Sequence, residues 1–145
     1  MGFRFPLATV LRVRDSIQKR EERVLQRIQL DMARVSRNIE ELNDAVAQSH
    51  RARETELQQP IPAGQFQAML QATEASIGAR ESLVEKLQLL RQQRDAQMKV
   101  YQAAHQDHEA LIDMRDRQRL AYDQQQARAQ QKFLDDIFMA RRHRT

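Results

Sequence analysis

Leu25, Ile28, Met32, Val35, Ile39, Leu42 and Val46 follow one another at steps that alternate between three and four residues without a miss. Such a stripe keeps apolar side chains on one face of an α-helix over several turns and needs a second helix to cover it. Upstream it continues as Val10, Val13, Ile17 and Val24, displaced by one residue. A straight helix has 3.6 residues per turn, so a long seam must supercoil or slip in this way.

The second helix must come from further along the chain. Only Gln58-Gln59-Pro60-Ile61-Pro62-Ala63-Gly64 reads as a break. Pro60 and Pro62 lack a backbone N–H and restrict the residue before them, and Gly64 offers freedom of φ. The rest is rich in Gln, Arg, Ala, Leu and Glu, all good helix formers, with three Gly and three Pro in the whole sequence. These features predict an all-α fold, an antiparallel two-helix coiled-coil hairpin with a longer second helix. The expected organisation is a single coiled-coil domain over 1–145. Helix 1 spans about 7–57, the turn 58–64, helix 2 about 65–138 and a basic tail 139–145.

The stripe of helix 2 includes Phe66, Leu70, Ile77, Val84, Leu87, Leu90, Met98, Tyr101, Leu111, Tyr122, Phe133 and Ile137. It is less regular, because Thr73, Arg80, Arg94 and His108 occupy stripe positions. The coiled-coil core is therefore expected from Leu25, Ile28, Met32, Val35, Ile39, Leu42 and Val46 on helix 1, and from Ile77, Val84, Leu87 and Met98 on helix 2. At 1.5 Å per residue the helices measure roughly 75 and 110 Å. Pairing about residue 61 sets Val46 near Ile77 and Leu7 near Arg115. It leaves about 25 C-terminal residues without a partner in the chain, although they carry Tyr122, Phe133, Leu134, Ile137 and Phe138. An apolar stripe with nothing to cover it marks an interface.

Charge is sorted along the sequence. Residues 1–27 carry seven Lys/Arg against three Asp/Glu, and residues 115–145 eight against four, a net of +4 in each. Residues 38–77 carry two against six, a net of −4. Different partners at the termini and at the turn explain this pattern, and so does chance in a charge-rich coiled coil.

Motifs for chemistry are sparse. His105 and His108 lie at i, i+3 on a helix and could ligate a metal, but a further ligand from helix 1 is lacking; the plain reading is two polar residues in a loose seam. No metal, cofactor or catalytic residue is expected. Carboxylate pairs such as Glu21-Glu22, Glu40-Glu41 and Asp135-Asp136 do acid–base work only in a cleft, which two helices do not make. No phosphate-binding Gly-rich loop, Ser elbow or metalloprotease motif occurs. No run of about 20 apolar residues predicts a transmembrane segment. Arg4, Arg12 and Arg14 interrupt what would be the apolar part of a signal peptide. The absence of cysteine excludes disulfides. Arg141-Arg142-His143-Arg144 reads as a solvated tail or a complement to the helix dipole, and no nucleic-acid partner is expected.

The N-terminal run Phe3-Arg4-Phe5-Pro6-Leu7-Ala8-Thr9-Val10-Leu11-Arg12-Val13-Arg14 resembles the opening of the flagellar export protein FliJ family, whose skeleton is aromatic-x-Leu-x-x-Val-Leu-x-x-Arg before a charged helix. Gln131-Lys132-Phe133-Leu134-Asp135-Asp136 resembles the family's closing Gln-Lys-x-Leu-Asp-Glu run, with Asp136 in place of Glu. Length, the single mid-chain turn and the longer second helix agree. The resemblance implies a non-enzymatic stalk or coupling component of the flagellar type III protein export apparatus, similar to the stalk of rotary ATPases. It implies three partners: the hexameric export ATPase, the cytoplasmic domain of the membrane export gate, and export chaperones. The implied location is cytoplasmic, peripheral to the inner membrane at the flagellar base. On this reading Leu7, Leu11, Arg14, Phe133, Leu134 and Ile137 contact the ATPase. Phe66 and Leu70 match in placement an apolar pair that family members carry after the turn, where the gate is expected to bind, while Thr73 and Ile77 depart from the family's residues. The alternatives are the equivalent stalk of an injectisome, and a generic coiled-coil adaptor binding nucleic acid with its basic ends.

Overall fold

The computed structural model describes residues 2–144. It holds two α-helices and, among the described residues, no strand: α1 (Ala8–Glu56, 49 residues) and α2 (Ala63–Arg144, 82 residues). They form two compact units, Glu22–Val100 on the one hand and Met1–Glu21 with Tyr101–Thr145 on the other. Within each unit the helices run antiparallel.

The buried residues explain the pairing. On α1, Leu11, Gln18, Leu25, Met32, Ile39, Val46 and Arg53 follow at steps of seven, and so do Arg14, Glu21, Ile28, Val35 and Leu42; all are buried or half-buried. On α2, Phe66, Thr73, Arg80, Leu87, Arg94, Tyr101, His108, Arg115 and Tyr122 form one such row, and Met69, Ser76, Leu83, Leu90, Gln97, Ala104 and Leu111 the other. A strict seven-residue repeat is the signature of two helices wound about each other.

The unit Glu22–Val100 carries the main apolar core. Val35, Leu87 and Leu90 are buried together, with Met32, Ile39 and Leu83 packed against them. Leu25 and Val46 are buried further along α1. Of the expected core residues, Ile28, Met32, Ile39, Leu42, Ile77 and Met98 are half-buried, whereas Val84 is 39% exposed. The neighbouring Leu83 takes the seam position. It lies seven residues before Leu90 and packs on the cluster, and one step of 100° turns Val84 to the edge. Towards the turn the seam becomes polar. Arg80 Nη1 donates to Asn43 Oδ1 at 3.1 Å, and Arg53 Nη2 donates to Thr73 Oγ1 at 2.8 Å. The buried Thr73 hydroxyl in turn donates to the Met69 carbonyl at 3.0 Å.

The reversal uses proline and not glycine. Leu57 N–H donates to Arg53 O at 2.9 Å and Gln59 N–H to Glu56 O at 3.1 Å, which closes α1. Gln65 and Phe66 N–H both donate to the Pro62 carbonyl, at 3.1 and 3.2 Å. Pro62 is thus the residue from which α2 springs, where its missing N–H costs nothing. Gly64, expected in the turn, lies inside α2, and no described residue has a positive φ. Helix 2 also ends later than expected. The segment 139–144, read as a tail, continues the helix to Arg144; Thr145 lies outside the described residues. Met139, Ala140 and the arginines are good helix formers, and Arg141, Arg142 and Arg144 place positive charge against the carbonyl end of the helix dipole.

Candidate partner-binding surfaces

In the unit that holds both termini, Leu11, Ala104 and Leu111 keep apolar heptad positions, but charged and polar residues interleave with them. Arg14, Gln18 and Glu21 occupy α1 seam positions, and Tyr101, His108 and Arg115 occupy those of α2. Arg14 Nη1 donates to Asp107 Oδ2 at 3.3 Å. Asp15 receives Lys19 Nζ at 2.9 Å on one oxygen and lies 3.5 Å from His108 Nε2 through the other. The Lys19 hydrogen bond is the largest influence on the Asp15 carboxyl and, with the attraction of Lys19 and His108, holds it below its ordinary value of 3.8 against a smaller opposing effect of burial. His105 Nδ1, His108 Nδ1 and the Gln18 carbonyl oxygen are buried without a hydrogen-bond partner among the described residues. Tyr101 and His105 rings stack at 6.0 Å. Among the described residues no three metal-ligating side chains converge, so His105 and His108 gain no third ligand.

This seam corrects the expected one-residue slip. Val10 and Val13 are 42% and 52% exposed, while Leu11 and Arg14 are half-buried. The repeat of seven runs straight from Leu25 back through Gln18 to Leu11. Following apolar residues alone shifts the register by one, because here the seam accepts polar side chains. Of the displaced stripe Val10 and Val13 face outward while Ile17 and Val24 are half-buried, and Val13 and Ile17, with Thr9, Arg12, Ser16 and Arg20, line a shallow groove on α1.

The N-terminal aromatics close this unit. Phe5 is buried, and its carbonyl accepts the Ala8 N–H at 3.2 Å at the start of α1. Phe3 meets Tyr122, with ring centroids 5.7 Å apart and planes at 48°. Tyr122, expected to lack a partner, therefore has one. Leu7 lies between Phe3 and Arg14 in α1's approach, as Arg115 lies between Asp107 and Tyr122 on α2. Beyond Tyr122 every described residue is exposed.

The residues assigned to the ATPase contact divide accordingly. Phe133, Leu134, Ile137 and Leu7 are exposed, at 65, 59, 37 and 37%. Leu11 and Arg14 are half-buried in the seam. Phe138, 67% exposed, extends the same surface, Met139, 51% exposed, lies on the opposite side of the helix, and Leu134, Ile137, Phe138 and Arg141 line a shallow depression with Asp135. Met139 was legible only once the helix is known to continue past Phe138. Near the turn, Phe66 and Leu70 are both half-buried, Phe66 in line with Thr73 at a seam position. A small depression beside them is lined by Ser49, Ala52, Arg53, Met69, Ala72 and Thr73.

The sequence model of the family described as FliJ, "Flagellar FliJ protein", matches residues 3–145. The chain belongs to the FliJ family. It is therefore a component of the flagellar export apparatus, and the resemblance read from the terminal runs extends over essentially the entire FliJ-type chain. No curated protein and no solved structure matches it. Among the described residues, no helix of this FliJ-family protein is long and apolar enough to cross a membrane.

Proposed function

We propose that this FliJ-family chain is a non-enzymatic coupling component that binds the hexameric export ATPase through the unit bearing its termini. The observation that carries the reading is the run Phe133, Leu134 and Ile137, exposed on the stretch of α2 beyond Tyr122 that no other described residue buries. Exposed apolar side chains at such density are a binding surface. Leu7 adds to it from the start of the chain, and Leu11 and Arg14 support the helix that presents Leu7. The turn of the other unit, with Phe66 and Leu70, is assigned to the cytoplasmic domain of the membrane export gate, and export chaperones are the third class of partner. Association with the inner membrane at the flagellar base follows from these contacts.

The test is ATP hydrolysis by the purified flagellar export ATPase with and without the protein, with ring assembly followed in parallel. The wild-type chain is expected to raise turnover at substoichiometric ratios. The double substitution Phe133→Ala and Leu134→Ala raises the concentration for half-maximal stimulation about tenfold, the effect of losing about 1.4 kcal/mol of binding. Undiminished stimulation by the double variant removes these residues from the interface.

A further inference from the structure

The C-terminal part of α2 has a second property, which goes beyond the export reading and does not rest on it. At 3.6 residues per turn, Phe133, Ile137, Leu134 and Phe138 occupy an arc of about 140° on one side of the helix. All four are exposed. Residues 128–144 carry Arg128, Lys132, Arg141, Arg142 and Arg144 against Asp135 and Asp136, a net of +3 with His143 uncounted. Asp135, Asp136, Lys132, Arg128 and Arg142 fall on the remaining side together with the exposed Met139, whereas Arg144 falls within the arc, two turns beyond Ile137.

We infer that this segment is an interfacial helix for anionic lipid, lying in the headgroup plane with Phe133, Leu134, Ile137 and Phe138 inserted. An apolar arc bearing aromatic residues, backed by a charged face with basic excess and low overall hydrophobicity, is the pattern of helices that lie on membranes. The charge selects the partner, because a net-positive segment is drawn to acidic headgroups. The surroundings select a plane over a groove: every described residue from Asp123 to Arg144 is exposed, so the chain builds no walls around the apolar arc. Arg141 projects within that arc, one turn beyond Ile137. A guanidinium there reaches the headgroups while its stem lies along the apolar surface.

The experiment is cosedimentation of the full chain with sucrose-loaded vesicles, in the absence of the ATPase. Vesicles of phosphatidylcholine with about one third phosphatidylglycerol bind the protein at ~0.1 M salt, and pure phosphatidylcholine binds it at least about tenfold more weakly. Phe133→Ser with Phe138→Ser lowers binding to the anionic vesicles by about tenfold, since the inserted area is lost. Arg141→Glu with Arg142→Glu does the same through charge. These positions are exposed, and circular dichroism of each variant establishes that the helices persist. Absence of binding to anionic vesicles overturns the proposal, as does equal binding to both lipids or by the Phe variant. An acidic protein as the true occupant gives the first of those results. Failure here leaves the ATPase assay unaffected, so the two readings fall separately.

Discussion

The segment 22–100 and the paired segments 1–21 and 101–145 use the same heptad scheme and fill it with different side chains. In the first, the scheme holds Leu25, Met32, Val35, Ile39, Leu83, Leu87 and Leu90, and the buried cluster forms there, while Arg53, Thr73 and Arg80 take seam positions towards the turn. In the second, it holds Arg14, Gln18, Glu21, Tyr101, His108 and Arg115 beside Leu11, Ala104 and Leu111, with Arg14 reaching Asp107 and His108 reaching Asp15 across the seam. Apolar residues are not scarce in the second unit. Val10, Val13, Leu120, Phe133, Leu134 and Phe138 are each more than 40% exposed. Both units show apolar side chains to solvent, the first through Leu30, Leu57, Leu89 and Val100; the difference teaches that only the first also gathers a buried apolar cluster, whereas the second ends in a stretch of helix whose apolar residues are all exposed. Surface ion pairs contribute little to stability, with typical values of about 0–1 kcal/mol, so the terminal unit is the weaker of the two.

The sharpest way to break this comparison is to truncate one apolar residue from each region. Leu87→Ala removes a buried side chain from the central cluster and is expected to cost about 2–4 kcal/mol in urea unfolding followed by circular dichroism. Phe133→Ala, although it deletes a larger group, should stay within about 0.5 kcal/mol of wild type, because the side chain is already in water. Similar costs for the two would erase the distinction between core and display.

A smaller effect sharpens the account of the central unit. Gly78 sits mid-helix in α2, and a Cβ added there meets nothing within 4 Å. Gly78→Ala therefore removes flexibility from the unfolded chain at no steric cost. It should raise stability by about 0.5–1 kcal/mol, read as a shift of the urea midpoint. A loss of stability would reveal packing at this face.

The smallest effect probes the terminal unit. Asp15 titrates below 3.8 because Lys19 and His108 favour its ionised form. A depressed carboxyl contributes stability above that ordinary value and loses it as the pH falls through 3.8 towards the folded value. A carboxyl titration by NMR should show the low value, and Lys19→Met should return it towards 3.8. No change on that substitution would mean that the 2.9 Å pair does not persist in solution.

Much of this was readable before any coordinates. The uninterrupted run from Leu25 to Val46 requires a helix and a covering partner, and Pro60 and Pro62 allow one place for the chain to reverse. The uncovered residues near the C-terminus follow from the unequal helix lengths. Two causes separate the sequence from the structure along the seam. Where the seam is polar, apolar residues do not mark it, so Val10 and Val13 point to a face that Leu11 and Arg14 hold; in the apolar core, Leu83 and Val84 are adjacent apolar residues that periodicity alone does not separate. Gly64 was read as a turn residue because glycine permits unusual φ, yet an N-terminal helical turn also accepts it.

The sequence by itself determined two long helices, the place of the turn, the charge segregation and the FliJ-like terminal runs, because periodicity and propensity are local properties of the chain. Only the tertiary structure decided which of two adjacent residues faces inward, that Phe3 meets Tyr122, that Phe5 is buried, and that Arg14 and Asp15 are engaged across the seam. Those outcomes depend on what the opposite helix presents at each level, and a side chain's burial is a property of the pair.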